Sequence, residues 1–291
     1  MIHVILLCVG IFFITFITFV NPTMLHGIPL RKSLKETYTP NAIYVAPTQN
    51  DLEKAKTLFY NLFSSSDFST DEKAWDSLGF QVKREGSFLI IKEKQSNQTG
   101  KGVYIFNLSK PSQVVLEAPH RPSDLRTGPL AIQLMEEGRF LAAALNTVPR
   151  KKANFTREGM TYFNAFTEAF GEAYPKGNII QLHGFNDESL DSLTDLIFSA
   201  TISSPPPLFY QYAECLKKLP LNISLFPRDI KSLGGTKNIN AIKFRASKNK
   251  GLFLHLEMSI TLREKLKNNK EFRESFFKCF LETGKAQTPH S

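Results

Sequence analysis

Between residues 114 and 281, short apolar runs alternate with segments whose apolar residues recur at helical spacing, and this alternation leaves few architectures open. Strand-like runs at 114–118, 140–145, 178–182 and 196–201 are interleaved with helix-like segments at 130–137, 162–174 and 208–219. The second of these helices carries Phe163, Phe166 and Phe170 on one face, and the third follows Pro205, Pro206 and Pro207. Further strands are expected near 241–245 and 252–257, then one long helix over 261–281. Alternating strands and helices predict an α/β fold: a mixed, mainly parallel sheet with helices on both faces. Upstream, Thr48 and Asp51 form a capping-box-like start for a helix over 51–63. Short strands at 80–82, 88–92 and 103–107 read as an antiparallel extension of the same sheet. No internal repeat or linker interrupts residues 46–285, which are expected to form one domain after a polar tether (23–45) and before a short tail (286–291).

The segment Val4 to Val20 contains 17 residues and no charge. That is the lower limit of the roughly 17–25 residues of a spanning helix, and it exceeds the roughly 7–15 of a signal-peptide core. Asn21 and Pro22 end it, so residues 1–22 are expected to form a hydrophobic helix serving as signal peptide or membrane anchor. The chain would then be exported (periplasmic or secreted) or membrane-anchored. Three cysteines exclude a disulfide framework or a Cys-rich zinc module. With Cys8 inside the segment, Cys215 and Cys279 are left, free to pair in an oxidising compartment if they meet. Asn-x-Ser/Thr sites stand at Asn97, Asn107, Asn154 and Asn222. A net charge of +9 suits anionic partners. The basic stretch 228–250 has only Phe244 as an interleaved aromatic and no nucleic-acid motif, so no specific nucleic-acid partner is expected.

Three of the six histidines, His120, His183 and His255, lie in or just beyond apolar strands. In an open α/β sheet the carboxyl ends of strands form the crevice where ligands bind. VVLEA runs into Pro119-His120 with Asp124 four residues on, and NIIQL runs into His183-Gly184. Two imidazoles and a carboxylate are the ligand set of a catalytic zinc that keeps one position open. Hydrogen-bonded structural histidines remain the other reading of the same residues. In LFLHLEM a period of two puts Phe253, His255 and Glu257 on one face and Leu252, Leu254 and Leu256 on the other. An ionised carboxylate in so apolar a run needs a partner. For Glu257 that is either water beside a metal, with Glu257 as general base, or an arginine such as Arg245 or Arg263 in a structural ion pair. Asn146, after FLAAAL, and Arg150 are candidates to orient a substrate carboxylate.

The order APHxxxD, NT, FNAFTEAF, QLHGF and HLEMSxxLR resembles the zinc-carboxypeptidase-like hydrolases, and within them the poly-γ-glutamate hydrolase and N-formylglutamate amidohydrolase-like branches. The resemblance covers about 114–280. It implies one zinc ion held by His120, Asp124 and His183, with Glu257 as the base, and places Arg263 at the opening of the last helix. In the carboxypeptidase pattern a Glu follows the His by three residues; here Ser123 holds that place and the acid is Asp124. The expected activity is zinc-dependent hydrolysis of an amide bond in a peptide-like or anionic, carboxylate-bearing substrate, with Arg150, Arg263 and Asn146 as substrate-binding residues. A non-catalytic exported binding or scaffold protein on the same fold is the alternative.

Overall fold

Thr48 opens the first long helix reciprocally: its hydroxyl accepts the Asp51 N–H, and the Asp51 carboxylate accepts the Thr48 N–H. The computed structural model describes residues 30–34, 37–38, 40–94, 98–121, 123–189, 193–247 and 249–282. The hydrophobic segment expected to be a helix lies outside them. Among the described residues no helix is long and apolar enough to cross a membrane.

The chain begins with α1 (Leu30–Leu34), α2 (Gln49–Ser64) and α3 (Glu72–Ser77), then β1 (Phe80–Glu85), β2 (Phe88–Glu93), β3 (Val103–Asn107) and β4 (Val114–Ala118). There follow α4 (Thr127–Glu136), β5 (Ala142–Leu145), α5 (Tyr162–Ala173), β6 (Asn178–Gly184) and β7 (Leu196–Ser199). The remainder is α6 (Pro207–Leu216), β8 (Ile223–Leu225), α7 (Ile239–Ala246), β9 (Phe253–Met258), α8 (Ile260–Asn268) and α9 (Lys270–Glu282). The strands form one sheet in the order β1-β2-β3-β5-β4-β6-β9-β7-β8.

The antiparallel extension is present: β1, β2 and β3 pair in succession and β3 joins β5 antiparallel. The centre, β5-β4-β6-β9, is parallel throughout. Beyond it β7 runs antiparallel to β9, and β8 parallel to β7. Parallel and antiparallel pairings are therefore equal, four of each, and the sheet is evenly mixed rather than mainly parallel. Three of the antiparallel pairings belong to the N-terminal extension; the fourth follows from the connection 185–195, too short for a crossover helix, so β7 returns antiparallel.

Two further expectations are corrected. Residues 241–245 are helical: the Asn238 side chain caps the Asn240 N–H, and Ala241 and Phe244 are buried one turn apart. Five residues, of which only Ala241, Ile242 and Phe244 are apolar, are too short a run for its period to separate strand from helix. The long C-terminal helix is two, broken at Asn269, where Arg273 donates to the Leu266 and Lys267 carbonyls that α8 leaves open. Within the stretch read as a tether, Leu30 and Leu34 of α1 are buried against the core. Cys215 and Cys279 form a disulfide joining α6 to α9.

The two faces of the parallel centre differ. One presents Leu116, Ile180, Leu182, Leu254 and Leu256 to the core beneath α4, α6, α8 and α9. The other begins with Val115, Ile179 and Phe253, packed under an aromatic cluster from α2 and α5 in which the Phe63 and Phe166 rings stand 5.3 Å apart. Toward the carboxyl ends this second face turns polar: Glu117 on β4, Gln181 and His183 on β6, His255 and Glu257 on β9.

Candidate metal centre

Strands β4, β6 and β9 are adjacent and parallel, so their carboxyl ends open side by side. His120 leaves β4 in a tight turn, in which the Asp124 N–H donates to the His120 carbonyl (3.0 Å) and the acid folds back beside the ring. His183 lies near the end of β6, opposite Glu257 of β9 in the register. The Nδ1 atoms of His120 and His183 are 3.1 Å apart, and each is 3.2 Å from Asp124 Oδ2. All three side chains are buried. Ligands at about 2.0–2.1 Å around a tetrahedral ion stand about 3.3 Å from one another. The triangle thus has the size of three of the four corners around zinc, and these residues could hold a metal.

The outward nitrogens explain which ring atoms face inward. His120 Nε2 is 2.9 Å from Asn154 Oδ1, an oxygen identified by the Thr156 N–H that donates to it. His183 Nε2 is 2.7 Å from Gln181 Oε1, which also accepts from Asn238 Nδ2. An amide oxygen only accepts, so each Nε2 has a partner for a ring hydrogen, and a neutral ring that carries it there turns a bare Nδ1 toward Asp124. Burial, and then the neighbouring His255, push the His183 imidazole down to about 4, leaving it neutral at pH 7. Burial works to raise the Asp124 carboxyl, but the two imidazoles outweigh it and hold the group well below the usual carboxylate range. A neutral imidazole at His183 and a carboxylate at Asp124 are the forms a divalent cation requires.

Glu257 points into the same cleft, its side chain 13 % exposed, and pairs with His255 Nε2 at 3.2 Å. Burial works to raise its carboxyl, and the His255 hydrogen bond with the nearby imidazoles outweighs it, so the group lies below its ordinary value. Neither arginine considered as its partner is engaged with it. Arg245 donates to Thr201 Oγ1. Arg263 is bound to the carbonyls of Ser259, Leu125 and Phe185. The cleft holds about 760 Å³, and Arg150, Arg157, Lys231 and Lys237 stand on its wall.

Of the residues read from the sequence as substrate-binding, only Arg150 lines the cleft. Asn146 is fully buried, donating to the Pro119 carbonyl and accepting the Val148 N–H, so it shapes the turns behind the site. Arg263 is 3 % exposed and ties the loop after Asp124 to the loop after His183. A side chain at Gly184 would collide with its guanidinium. The supporting residues Asn154, Thr156, Gln181 and Asn238 escaped the sequence reading. Gln181 alone carried a signal: it stands two residues before His183, hence on the same face of one strand.

No protein-family profile matches the chain, and no curated protein does. Among solved structures, the chain aligns with a zinc-free form of YndL at 18 % identity, over 62 % of this chain and 87 % of that one, with a TM-score of 0.40. A bacteriophage poly-γ-glutamate hydrolase aligns at 11 % identity (60 % and 84 %, TM-score 0.36). The N-formylglutamate amidohydrolase of Ralstonia eutropha aligns at 14 % (60 % and 92 %, TM-score 0.41). The last two are the groups that the motifs resemble. Likenesses this distant say nothing of activity, and the functional reading rests on the side chains.

Proposed function

We propose that this chain is a zinc-dependent hydrolase that cleaves an amide bond in a peptide-like or carboxylate-bearing substrate. One observation carries the reading: the His120, Asp124 and His183 ligand atoms stand 3.1–3.2 Å apart, with an amide oxygen beside the outward Nε2 of each ring. A zinc ion held there supplies a Lewis acid for a carbonyl oxygen and acidifies a water. Glu257 Oε1 or Oε2 accepts the proton of the attacking water and returns it to the departing nitrogen. His255 Nε2 holds that carboxylate in place, and the four cations on the wall attract and orient an anionic substrate.

The disulfide between α6 and α9 and the uncharged segment 4–20 support an exported or membrane-anchored location. The test is hydrolysis of N-acyl amino acids and γ-glutamyl peptides by the purified chain. Hydrolysis is expected to stop on chelation, return with zinc, and be absent in a Glu257→Gln variant that still binds the metal. Hydrolysis untouched by chelation would refute the reading.

A further inference from the structure

We propose that Glu117, a carboxyl sealed inside the sheet, is a positioning residue that decides which ring nitrogen of His183 is free to bind a metal; this deepens the metal-site reading and rests on it. Glu117 lies on β4 opposite Gln181 in the register, is 0 % exposed, and does not line the cleft. Its Oε2 accepts from Gln181 Nε2 at 2.7 Å. Its Oε1 is 2.6 Å from Thr167 Oγ1, which is itself 3.0 Å from the Phe163 carbonyl.

Counting hydrogens fixes the direction of this chain. The Thr167 hydroxyl has one hydrogen and the Phe163 carbonyl has none, so satisfying both contacts sends the hydroxyl hydrogen to Phe163. The hydrogen between Thr167 and Glu117 then belongs to the carboxyl. A neutral carboxyl suits so deep a position, where burial pushes it up to about 7. Whether or not Oε1 carries the proton, Oε2 is an acceptor. The Gln181 amide nitrogen must face it, and the amide oxygen must face the other way, toward His183 Nε2 and Asn238 Nδ2. His183 therefore keeps its hydrogen on Nε2 and its Nδ1 lone pair toward His120 and Asp124.

Without Glu117 the near-symmetric amide of Gln181 is free to turn over. Its NH2 would then meet His183, and the ring hydrogen would move to Nδ1, where a metal has to bind. Asn238 favours the native orientation too, but Glu117 anchors it from inside the sheet.

The substitutions Glu117→Gln and Glu117→Leu separate this role from mere packing. Glutamine reproduces the protonated carboxyl, with its oxygen for Gln181 and its NH2 for Thr167; leucine offers no acceptor. Zinc affinity is measured by competition with a chromophoric chelator, and the His183 tautomer by 15N NMR of the metal-free chain. The native chain and Glu117→Gln should keep the hydrogen on His183 Nε2 and agree in affinity within about twofold. Glu117→Leu should populate the Nδ1–H form and lose about 10- to 100-fold in affinity, the scale of losing an outer-shell partner.

A native His183 with its hydrogen on Nδ1, or a folded Glu117→Leu with native affinity, overturns the proposal. If Glu117→Leu does not fold, Gln181→Met removes the amide oxygen that faces His183 Nε2 and should lose affinity to the same degree; native affinity there overturns it as well. A native chain that binds no zinc refutes the metal reading instead. The tautomers of native and variant His183 would still decide what Glu117 does.

Discussion

The two faces of the parallel centre β4-β6-β9 are made by alternate residues of the same strands, yet they solve opposite problems. The face bearing Leu116, Leu182 and Leu256 is apolar apart from Asn178 at its amino end, which donates to the Tyr212 hydroxyl, and its main contribution is area removed from water. The face bearing Glu117, Gln181, His183, His255 and Glu257 buries groups that are costly to bury alone. It is tolerable because nearly every polar atom is paired; among the described residues, His255 Nδ1 is the one buried atom of this group without a partner. The same backbone thus gives stability on one side and a set of ionisable groups held in fixed forms on the other.

If that division holds, changes on the two faces should separate. The largest effect is expected at Glu257. Glu257→Gln should lower kcat about 10²–10⁴-fold, the usual contribution of a general base, while zinc content and melting temperature stay near native. Steady-state kinetics beside elemental analysis checks both halves. On the apolar face, Leu256→Ala should cost about 2–5 kcal/mol in urea unfolding and leave zinc stoichiometry unchanged.

Glu117 belongs to the polar face but affects stability through protonation. Its folded value is raised from 4.5 to about 7, so the folded chain holds a proton that the unfolded chain releases between those values. The stabilisation is fully present below about pH 4.5 and is lost as the pH rises through about 7, some 3 kcal/mol in all. Glu117→Gln should therefore show a flatter dependence of stability on pH across that window, read as urea midpoints at pH 5 and pH 8. The smallest effect is expected at Asn154. Asn154→Ala removes the Nε2 partner of His120 and should weaken zinc binding about 10- to 100-fold without loss of fold.

What could be read from the sequence follows the same division. The strands that carry the site announced themselves through period and length: the alternation in LFLHLEM places His255 and Glu257 on one face, as the structure does. His120, Asp124 and His183 could be singled out because strand ends in an open sheet gather at one crevice. Asn146 and Arg263 looked equally suitable, but whether a polar side chain faces the cleft or binds nearby carbonyls depends on loop geometry that no spacing records. The supporting atoms were hidden for a different reason. Asn154 reaches His120 from a loop 34 residues away, and Gln181 acts through the orientation of its amide. The 241–245 segment was misread because so short a run, with three apolar residues, fits either period; the cap at Asn238 settles it in three dimensions.

The central claim is that two imidazole Nδ1 atoms and one Asp124 oxygen share a divalent cation. X-ray absorption at the zinc edge of the zinc-loaded chain tests it most directly. The account predicts one zinc per chain with two imidazole nitrogens and oxygen ligands at about 2.0–2.1 Å, and loss of that signature in a His120→Ala/His183→Ala double variant. Zinc that does not bind stoichiometrically, or whose spectrum is the same in the double variant, would contradict it.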